Sequence, residues 1–130
     1  MRKSIAAILA VPTVLNGAMM LLAGPYWYAS VPGASESGPY NPHFVQDIGA
    51  AFLVAGLALA ARAWQPRYWP AAVAGAAFLA AHALLHLVLM VAGQDHRAVF
   101  DLVAVVLPSA LALYSAFPTP AERDNGGRHA

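Results

Sequence analysis

The sequence predicts an all-α integral membrane protein, an antiparallel four-helix transmembrane bundle with both termini cytoplasmic. Three observations carry that expectation. Of 130 residues, 60% are hydrophobic and only 10% charged, whereas soluble domains carry about 25% charged residues. Four apolar stretches each approach the length of about 20 residues that a helix needs to cross a bilayer. With those stretches taken as spans, six of the seven Lys and Arg residues fall on one side.

The first span covers residues 4–23, after Arg2 and Lys3. A basic start before an apolar run also suits a cleaved signal peptide. This run is longer than a signal core and lacks a clear Ala-x-Ala site before Gly24 and Pro25, so it reads as a retained span. Residues 24–42 form the longest connection. Its Tyr26, Trp27, Tyr28, Val31 and Tyr40 give it apolar weight, which predicts an ordered external cap. The second span covers residues 44–63 and the third residues 70–92. Pro70 suits a helix start, where a missing N–H is harmless, and Gly93 suits a helix end. The fourth span covers residues 98–117. Pro12 and Pro108 lie inside spans and predict local bends, tolerated when neighbours satisfy the freed carbonyls. Residues 1–118 thus form one membrane domain, and residues 119–130 a polar cytoplasmic tail that reads as frayed.

Orientation follows from charge. Arg2 and Lys3, Arg62 and Arg67, and Arg123 and Arg128 share one side, with Arg97 alone on the other. The positive-inside rule makes the basic side cytoplasmic. Tyr26, Trp27 and Tyr28 outside, and Trp64, Tyr68 and Trp69 inside, match the aromatic belts of membrane interfaces. Ala72, Ala76 and Ala80, and Ala51 and Ala55, repeat every four residues, a spacing that lets helices approach closely in lipid.

Composition also excludes functions. There are no cysteines, which removes thiol redox chemistry, Cys-based zinc sites and haem attachment through a Cys pair. A net charge of +1 gives no case for nucleic acid. The expected partners are the lipid bilayer and either further copies of the chain or a larger membrane complex.

Ionisable groups inside a membrane are costly and point to function. Asn16, Asp47, His86 and Asp101 come from four different spans. At 1.5 Å rise per residue they fall within about one or two turns of the same depth, toward the outer side. His82 and His86 are four apart and share a helix face, as do His43 and Asp47, and Arg97 and Asp101. Two imidazoles facing carboxylates are suited to a transition metal. The predicted metal ligands are His82, His86, Asp47 and Asp101. Asn16, His43, Asp47 and Asp101 are the predicted ligand-binding set, with His43 as a gate. Zinc, copper or iron ranks first among cofactors. Haem ranks below them, because it needs His43 to pair with His82 or His86. The alternative readings are structural hydrogen bonding among these groups, and proton or small-molecule handling. His-x-x-x-His is a weak motif, and the metalloprotease pattern is absent because residues 83–85 are Ala-Leu-Leu. Asp95, His96, Glu36 and His129 are assigned no role.

The stretch Asn41-Pro42-His43-Phe44-Val45-Gln46-Asp47-Ile48-Gly49, leading into an Ala/Leu/Gly-rich helix, resembles small four-helix bacterial membrane proteins of uncharacterised function. The layout is similar to the DoxX-like group. A first helix is followed by a Pro/Trp-containing external loop, then a polar residue and Gly opening span two. The resemblance covers spans one to three. It implies a compact four-helix bundle and transfers no catalytic residues; the expected location is a bacterial cytoplasmic membrane.

The functional expectation is an integral membrane protein with an outer-facing His/Asp pocket that binds a metal ion or small ligand. Two alternatives stand beside it. One is an accessory subunit of a larger membrane complex. The other is an enzyme that uses Asp/His acid-base chemistry on a lipid-soluble substrate, so the expectation leaves enzymatic activity open.

Overall fold

The computed structural model describes residues 1–94 and 97–122. Asp95, His96, Arg123, Arg128 and His129 lie outside the described residues. Among the described residues the chain is all-helical, without strands. Helix α1 covers Arg2–Leu22, and the short α2 covers Gly24–Ser30. After a 3₁₀ turn at Ala34–Glu36, α3 runs Pro42–Trp64 and α4 runs Trp69–Val91. The last helical stretch is composite. It comprises α5 at Ala98–Asp101, a π-helical turn at Leu102–Val106 and α6 at Leu107–Ala116. Four segments are long and apolar enough to cross a membrane: Arg2–Leu22, Pro42–Trp64, Pro66–Val91 and Ala98–Ala116.

Helix starts have local causes. The Asn41 side chain caps α3 by accepting from the Phe44 N–H at 3.1 Å, which satisfies one of the first-turn donors. Pro42 follows in the first turn, where its missing N–H leaves nothing unmet. Gly93 ends α4 at φ +68°, and the N–H of Gln94 closes back on the Leu89 carbonyl at 3.0 Å. Only glycine takes that left-handed backbone readily.

The helices pack as a ring. α1 lies most extensively on α3, α3 on α4, α4 on α6, and α6 returns to α1. The core is Ala10, Ala55, Leu59, Ala72, Ala76, Leu79, Ala112 and Ala116. All but the two leucines are alanine, so the backbones themselves come close. At the α1–α3 contact they meet. A Cβ on Gly17 would lie 2.5 Å from the Leu53 nitrogen and 2.6 Å from the Gly49 oxygen. One on Gly56 would lie 2.7 Å from the Val14 nitrogen, and one on Gly75 of α4 would lie 2.9 Å from the Ala55 Cα. Larger side chains face outward instead, among them Ile8, Leu15, Val54, Leu84, Leu85, Val103 and Leu107. An apolar exterior around a small-residue interior is the arrangement lipid favours, because association there depends on close van der Waals packing.

One end of the ring is basic. Arg2 donates to the carbonyls of Phe117 and Pro118 at 2.8 and 2.9 Å and lies 4.7 Å over the Tyr114 ring. Arg62 donates to the Ala116 carbonyl at 3.3 Å. These two cations from α1 and α3 satisfy carbonyls that the end of α6 leaves open. Among the described residues past α6, Thr119 and Glu122 are tied to one another, at the start of the segment where the sequence pattern suggested fraying. Glu122 Oε2 accepts from Thr119 N–H at 2.7 Å, and Thr119 Oγ1 accepts from Glu122 N–H at 3.3 Å. This reciprocal pair is a capping box, and it opens a helical turn at Pro120. Arg62 Nη2 also donates to Glu122 Oε2, at 2.8 Å. Burial alone would raise the Glu122 pKa. The Thr119 N–H and the Arg62 guanidinium outweigh it and hold the carboxyl below its usual value of 4.5.

Two expectations follow from this packing. Gly17→Ala forces backbone apart at the α1–α3 contact and is expected to destabilise the bundle by about 1–3 kcal/mol. Gly93→Ala meets no neighbour within 4 Å among the described residues and is expected to carry the left-handed backbone strain, about 1–2 kcal/mol. Thermal unfolding in detergent checks both, and a dissociated α1–α3 pair is expected only from the first. The second expectation concerns pH. The folded Glu122 pKa is depressed, so its stabilisation is fully present above the unfolded value and is lost as pH falls through the folded value. The melting-temperature advantage of wild type over Glu122→Gln should therefore hold at neutral pH and vanish in acid below the ordinary carboxylate range.

Candidate functional site

At the end of the ring away from Arg2 and Arg62, two helices present ionisable side chains to one another. His82 and His86 lie one turn apart on α4, and Asp101 closes α5. His86 Nδ1 and Asp101 Oδ2 are 2.5 Å apart, with the side chains 26% and 13% exposed. The His82 ring meets the His86 ring edge-on at 4.8 Å. It is boxed by Phe52 of α3 at 5.4 Å, edge-on, and by Phe78 at 6.4 Å, nearly parallel. Phe52 and Phe78 meet each other edge-on at 5.2 Å. The first imidazole thus sits among aromatic rings, and the second is tied to a carboxylate.

The π-helical turn sets the azimuth of Asp101. Pro108 has no N–H to give and its ring crowds the carbonyl one turn back. The helix absorbs this by widening, so that Leu107 N–H reaches Leu102 O, five residues back. In a regular helix the eleven-residue interval from Asp101 to Ala112 is close to three whole turns. Asp101 would then lie in line with buried Ala112. The extra residue turns it by about 100°. Sequence reasoning anticipated a bend at Pro108, and the structure shows a π-turn, a feature frequent at functional sites.

Other expected members of the cluster are elsewhere. Asn16 Oδ1 accepts from Trp27 Nε1 at 2.9 Å, and its Nδ2 lies 3.7 Å from Met20 Sδ. Asn16 therefore anchors α2 to α1. His43 and Asp47 pair with each other at 3.6 Å on the outward face of α3, 88% and 64% exposed. The reason is angular. Asp47 is two residues from both Val45 and Gly49, which are buried, and two residues rotate a helix by about 200°. Equal depth did not mean a shared direction. The proposed ligand set of His82, His86, Asp47 and Asp101 is therefore not assembled. Among the described residues no group of three His, Cys, Asp or Glu side chains is placed to hold a metal ion. A haem spanning His43 and His82 or His86 has no support either, since His43 points away from the bundle.

The segment 24–42 covers this end. Gly24 is buried with the Tyr40 hydroxyl close by, Tyr28 and Tyr40 rings lie 5.3 Å apart, and the Tyr28 hydroxyl donates to Gly38 O. Arg97 pairs with Glu36, which joins the cap to the start of α5 four residues before Asp101. The sequence assigned Glu36 no role, and the i,i+4 pattern matched Arg97 to Asp101.

A His–Asp pair of this geometry can do definite chemistry. With the imidazole proton on Nδ1 the carboxylate accepts it, and Nε2 is then the nitrogen open to a further partner. Phe52, Phe78, Trp27 and Arg62 were not singled out as site-forming from sequence. Phe78 carried a signal, being four residues before His82. Arg62 carried one too, as a lone cation within an alanine run.

The Asn16–Trp27 bond is expected to hold the cap. Trp27→Phe removes the donor and is expected to cost about 1 kcal/mol. In a double-mutant cycle with Asn16→Leu, thermal unfolding should show the two effects to be coupled rather than additive. Compared with known protein families, with curated proteins and with solved structures, the chain matches none.

Proposed function

We propose that this chain is a multi-pass protein of the bacterial cytoplasmic membrane, an antiparallel four-helix bundle with both termini cytoplasmic. In this reading His82, His86 and Asp101 form an acid-base relay in the outer half of the bundle. The relay exchanges a proton with a small ligand that arrives from the outer side. The observation that carries it is the His86–Asp101 contact of 2.5 Å between two helices, partly buried within membrane-spanning segments. Isolated ionisable groups at such depth are expensive, and a paired imidazole and carboxylate is the usual form in which proton-handling sites keep them. His82 extends the chain of titratable groups one turn deeper, where it packs against Phe52 and Phe78. The orientation draws support from Arg2, Lys3, Arg62 and Arg67, which all belong to the end opposite the relay.

A second reading has one observation in its favour. His43 and Asp47 form an ionisable pair on the outward face of a membrane-spanning helix. Such groups normally face protein or water, which suits an accessory subunit whose partner, a second copy or a larger complex, covers that face.

The relay is tested by nitrogen NMR of the imidazoles of the full chain in nanodiscs, which reads the nitrogen that carries the proton. His86 is expected to carry it on Nδ1, in a bond to Asp101, and to leave Nε2 free to exchange a proton with a ligand. Asp101→Asn is expected to change the His86 signals, with His43→Gln leaving them in place. A His86 protonated on Nε2 in the wild type, or His86 signals unaltered by Asp101→Asn, overturns the reading.

A further inference from the structure

Among the described residues Arg62 is the largest side chain without any exposure. Its guanidinium is only partly used. Nε reaches the Ala116 carbonyl and Nη2 reaches Glu122, but Nη1 is buried and has no hydrogen-bond partner among the described residues. A buried charged donor without an acceptor is costly and calls for an explanation. Its surroundings supply one. Arg62 Nη2 and the backbone N–H of Thr119 converge on one oxygen, Glu122 Oε2, at 2.8 and 2.7 Å. A guanidinium and a backbone N–H aimed at one point form the donor set that binds phosphate oxygens. A planar carboxylate meets two of these donors and leaves Nη1 unmet. A tetrahedral phosphate has an oxygen to spare for it.

The exchangeable partner is also evident. Glu122 keeps 22% exposure while Arg62 has none, and Glu122 sits on a short segment that follows the end of α6. The level in the membrane fits as well. Arg62 lies two residues before Trp64, whose ring stacks on Tyr68 at 6.1 Å with Arg67 over the same tyrosine. Such aromatic and basic groups mark the depth of lipid headgroups.

We propose that Arg62 and the Thr119 N–H form a phosphate-binding site that Glu122 occupies in cis. A phosphate group, from an anionic lipid headgroup or free in solution, competes with Glu122 for it and engages Nη1. The site is separate from the His–Asp relay and does not depend on it.

Glu122→Gln tests the competition, because glutamine keeps the capping box while removing the competing charge. Binding of the full chain is measured in two arms. One uses nanodiscs of phosphatidylcholine with added phosphatidylglycerol, and the other uses phosphatidylcholine nanodiscs titrated with inorganic phosphate. Glu122→Gln is expected to strengthen binding about tenfold in at least one arm, the scale of a charge-assisted hydrogen bond. A gain in the first arm alone identifies a lipid phosphate, and a gain in the second identifies free phosphate. The Glu122→Gln/Arg62→Lys double variant keeps the net charge but loses the fork, and is expected to lose the gain. No gain in either arm, or a gain that survives Arg62→Lys in a protein with unchanged helicity, overturns the proposal.

Discussion

The close approach of α1 and α3 is the constraint from which the rest of the bundle follows. Gly17 and Gly49 bring backbone against backbone, where even one methyl group has no room. In lipid the exterior of a helix gains nothing by being buried against another apolar surface, so contact area must come from proximity. Glycine and alanine supply that proximity, and the core is alanine almost throughout. Once Gly17, Gly49 and Gly56 fix which faces of α1 and α3 meet, every other residue on those helices has its direction set. Phe52 then lies against α4, where it boxes His82, and Asp47 is carried to the outside.

The two ends of the ring solve different problems. At the basic end the difficulty is backbone. α6 ends with open carbonyls, and Arg2 and Arg62 reach them from neighbouring helices. At the opposite end the difficulty is side-chain polarity inside an apolar span. There the groups are matched in pairs, Asn16 with Trp27 and His86 with Asp101. The cap from Gly24 to Tyr40 closes over that end through tyrosine contacts and the Arg97–Glu36 pair. The same rule operates in both places, since a polar group remote from water must find its partner within the protein.

Pro108 links chain chemistry to site geometry. Its missing N–H is met by a π-turn, and that turn rotates Asp101 relative to the α6 core stripe. The carboxylate thereby meets His86 on α4. A helix-breaking residue a full two turns away from the carboxylate thus takes part in positioning it.

The sequence by itself determined the number of spans, the basic and polar ends, and which residues are ionisable at depth. These depend on hydropathy, length and charge, all of which are local and additive along the chain. The i,i+4 spacing of His82 and His86 also survived into the structure, because helix periodicity places such residues on one face. What only the tertiary structure decided was azimuth. Depth can be counted along a sequence, but the direction of a side chain depends on how its helix is rotated against its neighbours. That rotation was set by glycine contacts between α1 and α3 and by the π-turn before Pro108. It brought Asp101 to His86, left Asp47 paired with His43 on the outer surface, and sent Asn16 to the cap. It also buried Arg62, which the sequence showed only as one of the cations of the basic side, because the Ala116 carbonyl and the Glu122 carboxylate close over it.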